Sequence, residues 1–299
     1  MHLFSVTCRV RYAGEIVLGF PHLKPVVGMV HVPALPGSPA NSLGWEAIRT
    51  ATLRDAETLA GGGVDGLIIE NYGDTPFYPR RVPPHTVAFL AVLAAEIRAR
   101  WPLPLGVNVL RNDAQAALAV AAAAEAQFIR VNVLAGARLT DQGIVEGEAH
   151  AVMRDRRLLG AGVLVFADVA VKHSAPLAER SLEDETEDLI VRARADALIV
   201  TGAATGKQTP LADLRAVKRA AGAAPVFAGS GVGAANVARI LAVADGVIAG
   251  TALKRDGVTT NPVDPARVRE FMRAARRARD GNPAPARSRP SPRGRSTVP

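Results

Sequence analysis

Short apolar runs of four to eight residues alternate along the chain with longer stretches of helical spacing. The runs are 26–31 (VVGMVH), 64–71 (VDGLIIEN), 103–109, 128–133 (FIRVNV), 162–169 (GVLVFADV), 197–201 and two more within 225–251 (PVFAGSGVGAANVARILAVADGVIAGT). Runs of that length with β-branched residues read as buried strands of a parallel sheet. Between them, 45–59 has helical spacing and stops at glycines 61–63, and 85–100, 114–126, a stretch through Arg157, 182–194, 211–221 and a segment opened by Asn236 continue the alternation. A closing helix spans 265–279, with Pro265 suited to its first turn. Eight strands, each followed by a helix or by a loop and helix, predict a single (β/α)8 barrel over residues 25–280. Residues 1–24 read as a short N-terminal extension and 281–299 as a disordered Arg/Pro-rich tail. An open doubly wound sheet binding a dinucleotide would carry G-x-G-x-x-G after its first strand, and GMVHVPALPG does not supply it.

Composition adds limits. Hydrophobic residues are 48% of the chain but aromatics only 4%, so Ala, Val, Leu and Ile must build most of the interior. A single cysteine, Cys8, excludes an intrachain disulfide and fits a reducing compartment. Arg9 and Arg11 follow only a brief apolar run, which is not a signal peptide, and the Ala-rich stretch 114–126 is too short to span a bilayer. A cytoplasmic protein is expected. The net charge is +8, of which the four arginines of the tail carry +4. A basic tail can attract nucleic acid, but this one has no aromatic for base stacking and no binding motif, so nucleic acid is only the third-ranked partner.

Strand alternation points to the chemistry. His31, Glu70, Asn71, Asn108, Arg130, Asn132, Asp168 and Thr201 fall at or near the carboxyl ends of the runs, where barrel active sites are built. In FIRVNV, Arg130 and Asn132 share one face, which makes that face polar. Asp168, Lys172 and His173 form the densest reactive cluster, with Asp168 read as a general base and its neighbours as proton carriers or contacts to an acidic substrate. Glu70 follows Leu67-Ile68-Ile69 and must face a cavity or find a cation such as Arg130. Gly229, Ser230 and Gly231 after the seventh run and Gly250-Thr251 after the eighth predict a phosphate site of backbone amides and hydroxyls, with Gly202 after the sixth run as a further contributor. Glu70, Asp74, Asp141 and Asp168 could supply oxygens to Mg²⁺, although their spacing is not diagnostic and no metal site is assigned. Gly202 to Lys207 imitates a nucleotide phosphate loop but fails its spacing and has Gln208 where Ser or Thr is required.

The segments GMVHVPALPGSP, GGVDGLIIENYGDTPF, LGVNVLRND, FIRVNVLAGARLTDQGIVEG, FADVAVKHSAPLA, ADALIVTGAATGK, GSGVGAANV and ADGVIAGTALKRDGVTTNPVDPARV resemble the BtpA/SgcQ family over roughly residues 26–271. The resemblance implies a barrel similar to those that bind ribulose phosphate. One family branch is linked to photosystem I biogenesis in cyanobacteria and another occurs among sugar-metabolism genes. Motif positions matching here include Asn71, Arg111, Asp141 and Lys254, which join His31, Asn108, Arg130, Asn132 and Thr201 as candidate substrate contacts. The leading expectation is an enzyme, an isomerase, epimerase or lyase, that acts on a small phosphorylated sugar. A non-catalytic assembly or stability factor is the alternative, and a homo-oligomer is left open.

Overall fold

The computed structural model describes residues 17–160, 162–202 and 209–281. Residues 1–16, the loop containing Thr205 and Lys207, and the tail from 282 onward lie outside the described residues. Among those described, eight parallel strands close into a barrel in the order β1 (Val26–His31), β2 (Gly66–Glu70), β3 (Leu105–Asn108), β4 (Phe128–Val131), β7 (Leu164–Val169), β9 (Ala197–Val200), β10 (Val226–Ala228) and β11 (Gly246–Ala249), which returns to β1. Helices α1 (Trp45–Gly61), α2 (Pro84–Arg100), α3 (Ala114–Ala123), α4 (Ala149–Leu158), α5 (Leu182–Glu187), α6 (Leu211–Ala220), α7 (Val237–Leu241) and α8 (Pro265–Arg279) connect them.

Side-chain alternation sorts two apolar layers. Val26, Val30, Leu67, Ile69, Val107 and their equivalents face outward against the helices. Val27, Met29, Ile68, Phe128, Phe166, Ile199, Phe227 and Ile248 point inward. Phe20, from the segment before β1, joins this interior cluster fully buried, with its ring 5.9 Å from that of Phe128 and 6.1 Å from that of Phe227. Four of the chain's eight phenylalanines thus meet in the barrel interior. Gly106 on β3 makes room for them, since a Cβ there would lie 2.2 Å from the Phe128 ring.

The amino ends of the strands are polar too, and for a structural reason. Asp65, Asp196 and Asp245 each stand just before a strand and accept an N–H at the start of the preceding barrel strand, that of Val26, Val165 and Val226 respectively. Gln127 does the same for Leu105. Arg279, Arg156 and Lys218 back the three aspartates. Polar residues therefore occur at both ends of the barrel, and the functional argument must rest on cavities at the mouth rather than on polarity alone.

Two stretches differ from the sequence expectation. Residues 137–146, which carry no strand in the sequence reading, form a hairpin of β5 (Ala137–Thr140) and β6 (Gly143–Glu146), and β8 (Ser174–Pro176) adds a third antiparallel strand. Its two-residue turn, Asp141-Gln142, is followed by Gly143 at φ 89°, and the Thr140 hydroxyl accepts the Gln142 N–H. The helix expected over 182–194 is α5 followed by a wider π turn, Asp188–Arg192. Among the described residues, no helix is long and apolar enough to cross a membrane.

Candidate functional site at the barrel mouth

Strand register sets the site. His31 pairs with Glu70, Glu70 with Asn108 and Asn108 with Arg130, so four polar side chains stand in one row across β1 to β4. The row is buried beneath the mouth. Arg130 extends to β7, where its Nε and Nη2 donate to the two oxygens of Asp168 at 2.9 and 2.8 Å. Asn132 donates to the same carboxylate at 3.2 Å and accepts from Asn108. Burial by itself would lower the Arg130 pKa, but the charge and hydrogen bonds of Asp168, with Glu70 nearby, hold it above the ordinary value. Both Asp168 oxygens are engaged and its side chain has no exposed surface. The general-base role expected for Asp168 would require it to give up hydrogen bonds to Arg130 that occupy both of its oxygens. The pairing of Glu70 with Arg130 gives way to Arg130–Asp168 for the same reason.

Two cavities open over the row. The larger, about 950 Å³, is lined near the barrel by Arg111, Asn132 and His173 and farther out by Tyr72, Phe77 and Pro262. The smaller, about 240 Å³, lies under the loops after β10 and β11 and is lined by Ser230, Gly231, Val232, Gly250, Thr251 and Asn236. His31, Glu70 and Lys172 line both cavities, so the ionisable groups sit where the two meet. Burial, followed by the charges of Lys254, Lys172 and Arg130, pushes the His31 pKa well below the usual imidazole value, which leaves that ring neutral at pH 7. Its Nε2 is 3.8 Å from a Glu70 oxygen and its ring packs 4.7 Å from that of Tyr72. Lys172 is lowered by burial and by Arg130, against the opposing pull of Glu70 and Asp168. Burial and the Lys172 charge also lower His173 at the edge of the larger cavity.

The glycine loops divide their tasks. The Gly229 N–H donates to Val200 at 2.9 Å and that of Gly233 to the Asn236 side chain at 2.8 Å, so Gly229 does not supply the amide expected of it. Asn236 also donates to the Gly231 carbonyl, which fixes the loop from within. The amides of Gly231 and Val232 donate to no other group among the described residues. Across the smaller cavity, Thr251 and Ala252 open a 3-10 turn, Thr251–Leu253, whose first N–H groups have no acceptor within the turn. Both amide pairs belong to residues that line the smaller cavity. Gly250 is required by close approach, because a Cβ there would lie 2.9 Å from the His31 ring.

Comparison with known proteins agrees with this architecture. The sequence profile of the BtpA family matches residues 22–277. The photosystem I biogenesis protein BtpA of Synechocystis is 41% identical over 279 residues, which cover 92% of this chain and 96% of that protein. The chain belongs to the BtpA family. An uncharacterised protein of Archaeoglobus fulgidus is 46% identical over 253 residues, 85% of this chain and 99% of that one. Among solved structures, N-(5'-phosphoribosyl)anthranilate isomerase from Pyrococcus furiosus superposes with a TM-score of 0.52 at 16% identity, covering 85% of this chain and 98% of that one. Thiamine phosphate pyrophosphorylase from the same organism gives 0.53 at 12% identity, covering 86% and 96%. At such identities the likeness is one of fold.

In this BtpA-family barrel several expected contacts hold the frame instead of facing either cavity. Asn71 accepts the Leu110 N–H and donates to Asp74, which in turn accepts from Leu35. The Thr201 hydroxyl accepts the Lys172 N–H at 3.2 Å, and neither Thr201 nor the adjacent Gly202 lines the two mouth cavities. Asn108 is buried and orients Asn132 and the Arg130 carbonyl. Lys254 lines the larger cavity, but its ammonium donates to Asp55 at 2.7 Å and is tied to α1. Arg111 lines the same cavity while donating to the Lys172 carbonyl, and Asp141 reaches it from the hairpin turn. The oxygens considered for Mg²⁺ do not converge: no group of three or more His, Cys, Asp or Glu residues placed to hold a metal occurs among the described residues. Tyr72 and Asp55 were missed. Tyr72 could have been noticed as the aromatic two residues after Glu70, whereas an aspartate within a helix carries no signal that a lysine 199 positions away will pair with it.

Proposed function

We propose that this protein is an enzyme acting on a small phosphorylated sugar or related metabolite, of the isomerase, epimerase or lyase class. One observation carries the reading: the anion-sized concavity and the larger cavity meet at His31, Glu70 and Lys172. A phosphate held by the Gly231 and Val232 amides and the start of the Thr251 turn would direct the sugar into the larger cavity, with its reacting carbons at the junction. Binding energy from a group that does not react then orients the one that does. Glu70, beside a neutral His31, is the proton carrier, and Lys172 engages the carbonyl oxygen or carbon. Asp168 positions Arg130 and moves no proton. Two solved barrels of this fold are named for phosphorylated compounds, which accords with the reading without carrying it.

A screen of aldose and ketose phosphates, followed by kinetics of Glu70→Gln, tests it. The substitution is expected to lower kcat by roughly 10²-fold or more, the ordinary range for general acid–base catalysis. Unchanged turnover would remove Glu70 from the chemistry. A second reading, a non-catalytic assembly factor, is favoured by the named Synechocystis relative. A saturable complex with a protein partner that survives Glu70→Gln, together with no turnover of any phosphosugar, would establish it in place of the first.

A further inference from the structure

Three lysine and arginine side chains are buried at the mouth beside Lys172, and each has a fixed partner. Arg130 is held by Asp168, Lys254 by Asp55, and Arg111 by the carbonyl of Lys172. The Lys172 amine has neither a hydrogen bond nor an ion pair among the described residues. Its backbone is nevertheless fixed on both sides: the N–H donates to Thr201 and the carbonyl accepts from Arg111 at 2.6 Å. The flanking Ala170 and His173 take positive φ angles of 47° and 55°, so the chain bends around this residue and directs it to the junction of the cavities. A lysine that is desolvated, adjacent to guanidinium groups and without a partner among the described residues gives up its proton more readily and then serves as a nucleophile.

We propose that Lys172 forms an imine with the carbonyl carbon of a phosphorylated aldose or ketose whose phosphate occupies the smaller cavity. This deepens the function proposed above and rests on it. Glu70 takes a proton from the ammonium, and the freed amine pair forms a C–N bond at the carbonyl carbon while the C=O π pair moves to oxygen. That oxygen, protonated from the former ammonium and by Glu70, departs as water as the C=N bond forms. The product is a protonated imine, and water is the only by-product. Its positive nitrogen then withdraws electrons from the adjacent carbon, where a proton or a C–C bond can be released.

The test is reductive trapping on the full chain. The protein is incubated with dihydroxyacetone phosphate or ribose 5-phosphate plus sodium borohydride, and the modified peptide is identified by mass spectrometry. The expected result is an adduct at Lys172 that inorganic phosphate suppresses. Its rate should rise with pH and level off below the ordinary lysine value of 10.5. Peptide mapping of the unmutated chain needs no variant to fold, and Lys172→Arg should lose the adduct while phosphate still binds. Turnover of a phosphosugar without an adduct at Lys172 overturns the covalent step and leaves the acid–base reading intact. Absence of adduct, turnover and phosphate binding together overturns both.

Discussion

Arg130 and Asp168 each place a full charge inside the barrel, and the two hydrogen bonds between them, with a third from Asn132 to Asp168, offset the cost of that burial. Asp168→Asn would keep the shape but leave the guanidinium uncompensated. The expected cost is about 3–5 kcal/mol of stability, read as a lower denaturant midpoint at unchanged slope. Replacing both partners, as Arg130→Met with Asp168→Leu, should recover much of that loss, since no unpaired charge remains. A single variant as stable as the parent would show that the pair does not support the fold. Glu70 differs from Asp168 in one respect that matters for chemistry: it faces both cavities and has no bidentate cation. Two carboxylates at similar strand positions thus have different tasks, decided by which neighbour reaches each.

Strands and loops impose the next level of order. The segment that precedes β1 inserts Phe20 among Phe128, Phe166 and Phe227, so residue 20 contributes to the barrel's own core. Phe20→Ala should cost about 3–5 kcal/mol, the usual range for emptying a buried aromatic site, measurable by chemical denaturation. A loss below about 0.5 kcal/mol, the size of an ordinary surface change, would mean the interior closes without it. At the opposite end, the β5–β6 hairpin and β8 form a small sheet that carries Asp141 and leads directly from Lys172 and His173. Of that sheet only the turn residue Asp141 reaches the larger cavity, while Ala137, Arg138 and Pro176 line a separate one, and its residues vary in exposure because it stands outside the barrel's hydrogen-bonded ring.

For the molecule as a unit, the smaller cavity lies where the last two barrel strands meet the first, and Gly250 packs against His31 across that seam. An anion bound there belongs only to the folded state, so it stabilises by mass action. Inorganic phosphate at about 100 times its dissociation constant should add about 2.7 kcal/mol, and for a chain of this size raise Tm by roughly 5 °C. Sodium chloride at equal ionic strength serves as the control. Equal shifts in both salts would mean that no specific phosphate site exists.

Alternation of short apolar runs with helical stretches sufficed to read a (β/α)8 barrel, because period 2 and period 3.6 are local properties of the chain and eight repeats leave few ways to bury both faces. The same local logic placed Glu70, Arg130, Lys172 and Gly231 at the mouth, since strand ends can be found without knowing what lies opposite. It also left the local β5–β6 hairpin unread, although 137–146 carries a turn glycine, and it could not reach β8, which joins β5 from about thirty residues later. What tertiary structure alone decided was pairing: Asp168 with Arg130, Lys254 with Asp55, Thr201 with the Lys172 backbone. Those contacts join positions 29 to 199 residues apart, and no periodicity reaches so far. Sequence determined which groups arrive at the mouth; the closing of the barrel determined which of them are neutralised by a neighbour and which are left facing the cavities.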